Sequence, residues 1–310
     1  MKICILIPYY GRWPNYFGLY LQSLANNPWL DVIFITDLEL PVNAPPNARY
    51  EFLAKKDLIG LIKKKLDVNQ ELSNNYKLCD FKPAYGFLFE ELLQKQEYDF
   101  WGWGDIDLIY GDLKKFYPLE RFKNYDIISG REKWISGSLM FLRNSRLLKE
   151  LFFNNPHYRK VFERNHYEGF DECNRQFKEL KGGAKISDTD HGNSMTYLAF
   201  TTDKPIRHSF QNLIRESIVN SKYVSFENGS ITYDQKEYAL FHFVLVKENY
   251  WFKFPEWTKI PDSYWITLSG FKRYPFKSNQ IKPDLILKKI LFFHLQLKKY
   301  ARRVVRKIIS

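Results

Sequence analysis

The sequence predicts an α/β domain built on a mixed, mainly parallel sheet flanked by helices. Three observations predict it. Residues 3–7 form an unbroken apolar run, as expected of a strand covered on both faces. A helical pattern over 16–24 and a second apolar run over 32–37 follow directly, and strand, helix and strand at that spacing make a right-handed βαβ unit. A further apolar run over 100–103 follows another helical stretch and stops at acids, just as the second run stops at Asp37.

Each element has its own local reason. Phe17, Tyr20, Leu21 and Leu24 share one face of the first helix, and Asn26-Asn27-Pro28 ends it. A Pro- and Asn-rich loop over 38–48 leads to a third strand at 49–53. A short amphipathic helix over 58–66 presents Lys63, Lys64 and Lys65 to solvent. Residues 85–95 read as a helix, 96–99 as a turn and 125–129 as a strand. Residues 134–144 read as a strand pair with Gly137 at a close backbone approach. Helices are expected over 146–154 and 173–180, the second stopped by Lys181-Gly182-Gly183. Residues 238–247 form a strongly apolar strand around His242, and 251–265 read as a loop-rich cover for the domain. The expected organisation is one domain over 1–281, in halves 1–112 and 113–281, followed by a tail over 282–310.

Composition limits the function classes. An aromatic share of 18% and a hydrophobic share of 45% belong to a packed globular chain, and stacking or sugar-binding sites use the same rings. Three scattered cysteines, Cys4, Cys79 and Cys173, read as reduced thiols, with neither a disulfide framework nor a zinc site. No apolar run reaches the roughly 18 residues that span a bilayer. Of the net charge of +12, eight charges lie in 282–310, where nine Lys and Arg face one acid, Asp284. Apolar residues at helical spacing alternate there with basic ones. This suggests a helix on an anionic membrane surface, with a partner helix or an RNA-binding arm as competing readings.

The stretch Phe100-Trp-Gly-Trp-Gly-Asp105-Ile-Asp107 carries the strongest chemical signal. Side chains two apart in an extended segment share a face, so Asp105 and Asp107 can converge on one divalent cation, Mg²⁺ or Mn²⁺. Such a cation bridges a substrate diphosphate and makes it a better leaving group. Asp-x-Asp is also a common solvated turn, but flanking Trp and Gly are odd for one; Trp103 and its neighbours fit an aromatic wall. Pro8, Tyr9, Tyr10 and Asp37 lie at the ends of the first two strands, where open α/β sheets bind ligands; Asp37 reads equally as a loop cap. Asp80 and Lys82 precede a helix and suit a phosphate, or else form a surface ion pair. Asp171 and Glu172 open a helix, where acids offset the helix dipole or present a base to a cleft. A lone His in an apolar strand is usually a core residue, but His242 becomes a metal ligand if its strand ends at the acidic pair.

Taken together, these motifs resemble a GT-A-type nucleotide-sugar glycosyltransferase over roughly residues 1–250. The Pro8-Tyr-Tyr-Gly11 opening and Ile35-Thr-Asp37 resemble the nucleotide-binding half of that fold. Lys77-Leu-Cys-Asp80-Phe-Lys82-Pro83 followed by the acidic pair is similar to a bacterial glycosyltransferase-like family of capsule and O-antigen gene clusters. It also echoes the Ser-Asp-x-x-Arg helix of mannosyltransferase-like and toxin glycosyltransferases. The resemblance implies that Asp80 and Lys82 orient the donor sugar, although Lys82 lacks the two-pronged guanidinium. It implies that Asp171, or else Glu172, deprotonates the acceptor, that His242 completes the metal site, and that Lys247 faces the phosphate. A straight strand would point Lys247 away from His242.

The expected activity is therefore metal-dependent transfer of a sugar from a nucleotide diphosphate, UDP-sugar above all, to a hydroxyl of a capsule, O-antigen or lipopolysaccharide glycan. Retention or inversion stays open. Expected partners are the nucleotide sugar, a glycan or lipid-linked glycan acceptor, and the anionic inner membrane surface through 282–310, with no nucleic acid. The expected place is the cytoplasmic face of the inner membrane. The alternative is a non-catalytic basic, aromatic binder of RNA or anionic polysaccharide. It is disfavoured because Asp80, Asp105, Asp107, Asp112 and Asp171 gather around the expected cleft.

Overall fold

Apolar residues on both faces of the first strands decide the layering. In the computed structural model, which describes residues 1–219 and 222–274, β1 (Ile3–Pro8) is buried along its whole length. Ile3, Ile5 and Ile7 pack with Phe17, Tyr20 and Leu24 of helix α1 (Phe17–Ala25) on one face. Cys4 and Leu6 pack on the other face with helix-borne Leu58, Ile62 and Phe81. Each such aliphatic side chain contributes roughly 1.5–3 kcal/mol of burial, which locks the strand between two helical layers. β2 (Leu30–Thr36), β3 (Ala48–Phe52) and helix α2 (Lys55–Leu66) complete this half.

The remaining strands are β4 (Phe100–Gly104), β5 (Leu108–Tyr110), β6 (Ile127–Ser129), β7 (Leu139–Arg143), β8 (His208–Phe210), β9 (Ile214–Arg215), β10 (Val224–Glu227), β11 (Ser230–Tyr233), β12 (Lys236–Tyr238), β13 (Leu240–His242), β14 (Ser263–Thr267) and β15 (Gly270–Lys272). The main sheet has the order β3-β2-β1-β4-β7-β6-β8. β1, β2, β3 and β4 are mutually parallel, and β7 runs antiparallel to β4 and to β6. β5, β13 and β9 form a small second sheet in the order β5-β13-β9, and an antiparallel third sheet has the order β12-β11-β10-β14-β15. The expected mixed α/β fold with a parallel core is thus present. The third sheet was not expected: β14 begins inside the stretch 251–265 that the sequence reads as loop.

Several expected helices are broken for local reasons. The expected helix over 85–95 divides at Phe89 into Tyr85–Leu88 and Glu90–Lys95. Two short helices not read from the sequence, Leu113–Phe116 and Leu119–Asn124, are parted at Pro118, which caps the second. The helix expected over 173–180 forms only as Phe177–Lys181, because Asn174 and Arg175 take left-handed backbone angles, φ 49° and 63°. Asp171 and Glu172 therefore sit in a turn ahead of any helix. The expected tail over 282–310 lies outside the described residues.

The Trp–Gly alternation in β4 separates the two faces of the sheet. Trp101 and Trp103 are fully buried in the core beneath α2. Gly102 and Gly104 face the other way, where a Cβ on Gly102 would lie 1.8 Å from the Met140 carbonyl oxygen. The expected aromatic wall is thus a correction: alternation turns both indoles inward, and Trp103 Nε1 donates to the Ser136 carbonyl at 2.9 Å.

Candidate metal centre and acid pair

The chain steps from β1 to β2 to β3 on one side and returns with β4 on the other side of β1, so the strand order reverses between β1 and β4. Open α/β sheets bind ligands in the crevice at such a switch point. Asp105 follows the last residue of β4, and its backbone N–H donates to the Ser138 carbonyl. Asp107 precedes β5. Pairing of β5 with β13 puts His242 opposite Leu108, beside Asp107. His242 Nε2 lies 3.3 Å from Asp107 Oδ2 and 3.7 Å from Asp105 Oδ2.

One ligand atom from each of Asp105, Asp107 and His242 falls within 4.8 Å of the others, so the three could hold a metal ion. His242 Nε2 is buried and faces these two carboxylates. On its other side, Nδ1 meets Glu216 Oε1 at 3.1 Å, and Glu216 is in turn paired with Arg131. A carboxylate behind a ligand imidazole fixes its orientation. Two carboxylates and one imidazole suit a hard or borderline divalent cation. Burial by itself would lower the His242 pKa, but the charges of Asp107, Glu216 and Asp105 push it up to about 10. Burial likewise disfavours the Asp107 carboxylate, yet His242 and Lys247 hold its pKa well below the usual carboxylate range.

Lys247 is on the same side as His242, contrary to the straight-strand expectation. β13 ends at His242, the chain turns at Phe243, and the short helix Val244–Lys247 begins. Lys247 Nζ thereby comes back to donate to Asp107 Oδ2 at 2.6 Å. Lys82 is a buried cation at the centre of the site. Its Nζ donates to Asp105 Oδ1 at 2.7 Å and to the Gly137 carbonyl at 2.8 Å, and lies 3.4 Å from Asp171 Oδ2.

Asp80 is the clearest departure from its expected role. It is fully buried, and both oxygens are committed. Oδ1 accepts from Gly169 N and Phe170 N, and Oδ2 from Glu168 N and Lys77 Nζ, all between 2.8 and 3.0 Å. No lone-pair direction is left for a donor sugar. Asp80 instead fixes the turn that carries Asp171 and Glu172. Asp171, 1% exposed, accepts from the Tyr167 hydroxyl at 2.8 Å. Glu172, half-buried, accepts from Gly137 N at 3.0 Å. A Cβ on Gly137 would sit 2.9 Å from the Glu172 carboxyl carbon and 3.0 Å from Asp171 Oδ2, so the close approach expected there is made to the acid pair. Burial pushes the pKa of both acids up, most strongly for Asp171, against the lowering effect of Lys82.

The strand ends divide the other expected residues. Tyr9 stacks on Trp13 at 4.8 Å, and Trp13 on Phe17 at 4.1 Å. Tyr9, Arg12, Trp13, Pro14 and Asn15 line a cavity of about 700 Å³. Burial raises the Tyr9 pKa, with the Lys247 and Arg12 charges opposing and the Asp107 charge adding to it. Pro8 is the buried end of β1. Tyr10 is turned into the core, its hydroxyl donating to the Leu53 carbonyl at 3.1 Å, and so is not a ligand-facing residue. Asp37 is exposed and makes no side-chain hydrogen bond or ion pair among the described residues. Sequence reasoning missed Glu216, Arg131, Tyr167 and Trp13. None sits in a periodic or spaced motif with the acidic pair; the Tyr9–Trp13–Phe17 spacing is the one local signal that could have been used.

A family model described as "Family of unknown function (DUF6625)" matches residues 5–275. No curated protein and no solved structure matches the chain.

Proposed function

The chain belongs to that family of unknown function, and from its cleft we propose that it is a metal-dependent glycosyltransferase of GT-A-like fold. The donor is a nucleotide-diphosphate sugar, UDP-sugar first among them, and the acceptor a hydroxyl of a surface glycan of the capsule, O-antigen or lipopolysaccharide kind. One observation carries the reading: Asp105, Asp107 and His242 Nε2 converge at the β1–β4 switch point. The parallel β3-β2-β1-β4 order with antiparallel β7 after the acidic pair supports the fold assignment.

A Mn²⁺ or Mg²⁺ ion held by Asp105, Asp107 and His242 would neutralise charge on the diphosphate as it leaves. The Lys247 ammonium adds a second positive group for the phosphates. The Tyr9 ring, the outer member of the Tyr9–Trp13–Phe17 stack, offers a stacking face for the base. Lys82 holds Asp105 and Asp171 in fixed relation. Glu172, the more accessible member of the acid pair and raised by burial, suits a base that takes the acceptor proton; Asp171 is sealed behind it. In this reading the basic tail holds the protein on an anionic membrane surface. No helix among the described residues is long and apolar enough to cross a membrane.

The test is transfer from radiolabelled UDP-sugars to glycan acceptors, with and without Mn²⁺. Metal-dependent transfer that disappears in Asp107→Ala is expected. Full activity in that variant overturns the metal assignment. Salt-sensitive RNA or polyanion binding that survives Asp107→Ala, with no transfer, favours the binding-protein reading instead.

A further inference from the structure

The loop that carries Asp171 and Glu172 also walls a second hollow. It has a volume of about 400 Å³ and is lined by His157, Lys160, Arg164, Glu168, Asn174 and Asn193. Its one acid, Glu168, is already paired with Arg164 at 2.8 Å and with His166. The Lys160 ammonium, the His157 ring and the side-chain amides of Asn174 and Asn193 make no hydrogen bond or ion pair among the described residues. Four polar side chains without a protein partner thus share one concave surface with an arginine.

The loop behind them is rigidly set. Asp80 takes the N–H groups of Glu168, Gly169 and Phe170. Asn174 and Arg175 hold left-handed angles, which Asn tolerates but Arg seldom adopts. Such backbone outliers concentrate at ligand clamps. One fixed turn therefore presents the acid pair and also contributes Glu168 and Asn174 to the hollow.

Cationic and amide donors around a small hollow fit an anionic oxygen group on a sugar-sized body. We propose that this hollow binds the carboxylate or phosphate of an acidic sugar residue in the acceptor glycan. Its identity as acceptor rests on the transferase reading above; the anion binding itself does not.

The test is calorimetric titration of the full chain with glucuronate, glucose 6-phosphate and neutral glucose, without metal or nucleotide. One anion per chain is expected to bind, and glucose not at all; the tighter anion identifies the source. Lys160→Glu should weaken that binding at least about tenfold, roughly 1.4 kcal/mol. Lys178→Ala, an exposed lysine outside the hollow, should leave it unchanged. Absence of anion binding, or binding indifferent to Lys160→Glu, overturns the proposal. Asp107→Ala should bind the anion as the unaltered chain does, so failure of the donor site and failure of this hollow are read separately.

Discussion

The Lys247 ammonium donates to Asp107 Oδ2 at 2.6 Å across 140 positions of sequence. The same carboxylate is one of the three metal-competent groups, so Lys247 and a cation held there would compete for it. Lys247→Ala is expected to leave Mn²⁺ affinity unchanged or raised. It should weaken nucleotide diphosphate binding in the presence of Mn²⁺ about tenfold, the loss of one charge-assisted contact. Calorimetry with Mn²⁺ alone and then with UDP checks both; a collapse of Mn²⁺ affinity would show that Lys247 holds the site together.

Glu216 stands behind His242, 3.1 Å from Nδ1. Removing such an outer carboxylate usually costs 10–100-fold in metal affinity. Glu216→Gln should therefore weaken Mn²⁺ binding by about that factor while the fold persists by circular dichroism. An unchanged affinity means that His242 is not a ligand.

Asp80 pins a turn and does not touch a ligand. Asp80→Ala leaves Lys77 buried beside three unsatisfied N–H groups, and breaking a buried pair in this way costs about 3–5 kcal/mol. Asp80→Asn keeps the shape and should be milder. In Asp80→Asn, UDP and Mn²⁺ affinities should persist while turnover falls. A selective loss of donor-sugar affinity would restore the donor-binding role.

Asp171 gives a pH signature of known sign. Its folded-state pKa is raised by burial and by the Glu172 and Asp80 charges, with Lys82 and the Tyr167 hydroxyl opposing. The folded state then binds more protons than the unfolded one, whose Asp titrates near about 4. Stability is full below that pH and is lost as pH rises towards the folded value. Asp171→Asn removes this loss. Urea unfolding of both proteins at acidic and neutral pH should show the variant gaining on the unaltered chain as pH rises; a constant difference would contradict it.

Trp13 and Trp103 should separate cleanly. Stacking on an aromatic side chain is worth about 1–3 kcal/mol per base, so Trp13→Ala, which removes the ring that backs Tyr9 at 4.8 Å, should lower UDP affinity by up to that amount, read by fluorescence titration. Trp103→Phe should reduce stability through the core and leave UDP affinity unchanged.

Much of the frame was legible because its signals are local. The apolar runs of β1, β2 and β4, the α1 face of Phe17, Tyr20 and Leu24, and the acids following β4 are set by neighbours in sequence. Alternation in β4 was equally readable, since Trp101 and Trp103 must share a face; which face is the core depends on Gly102 meeting Met140 of β7. The left-handed pair Asn174 and Arg175 was not readable, because a turn held by Asp80 from ninety residues away overrides helix propensity.

By itself the sequence determined the parallel α/β core and the carboxylate pair at a strand end. Both follow from periodicity and spacing, which act over a few residues. Tertiary structure alone decided that Lys247 reaches Asp107, that Glu216 backs His242, and that Asp80 serves the acid-bearing turn. Those contacts depend on strand pairing and chain reversal between distant segments, and they are fixed because a buried charge left without its partner is strongly destabilising.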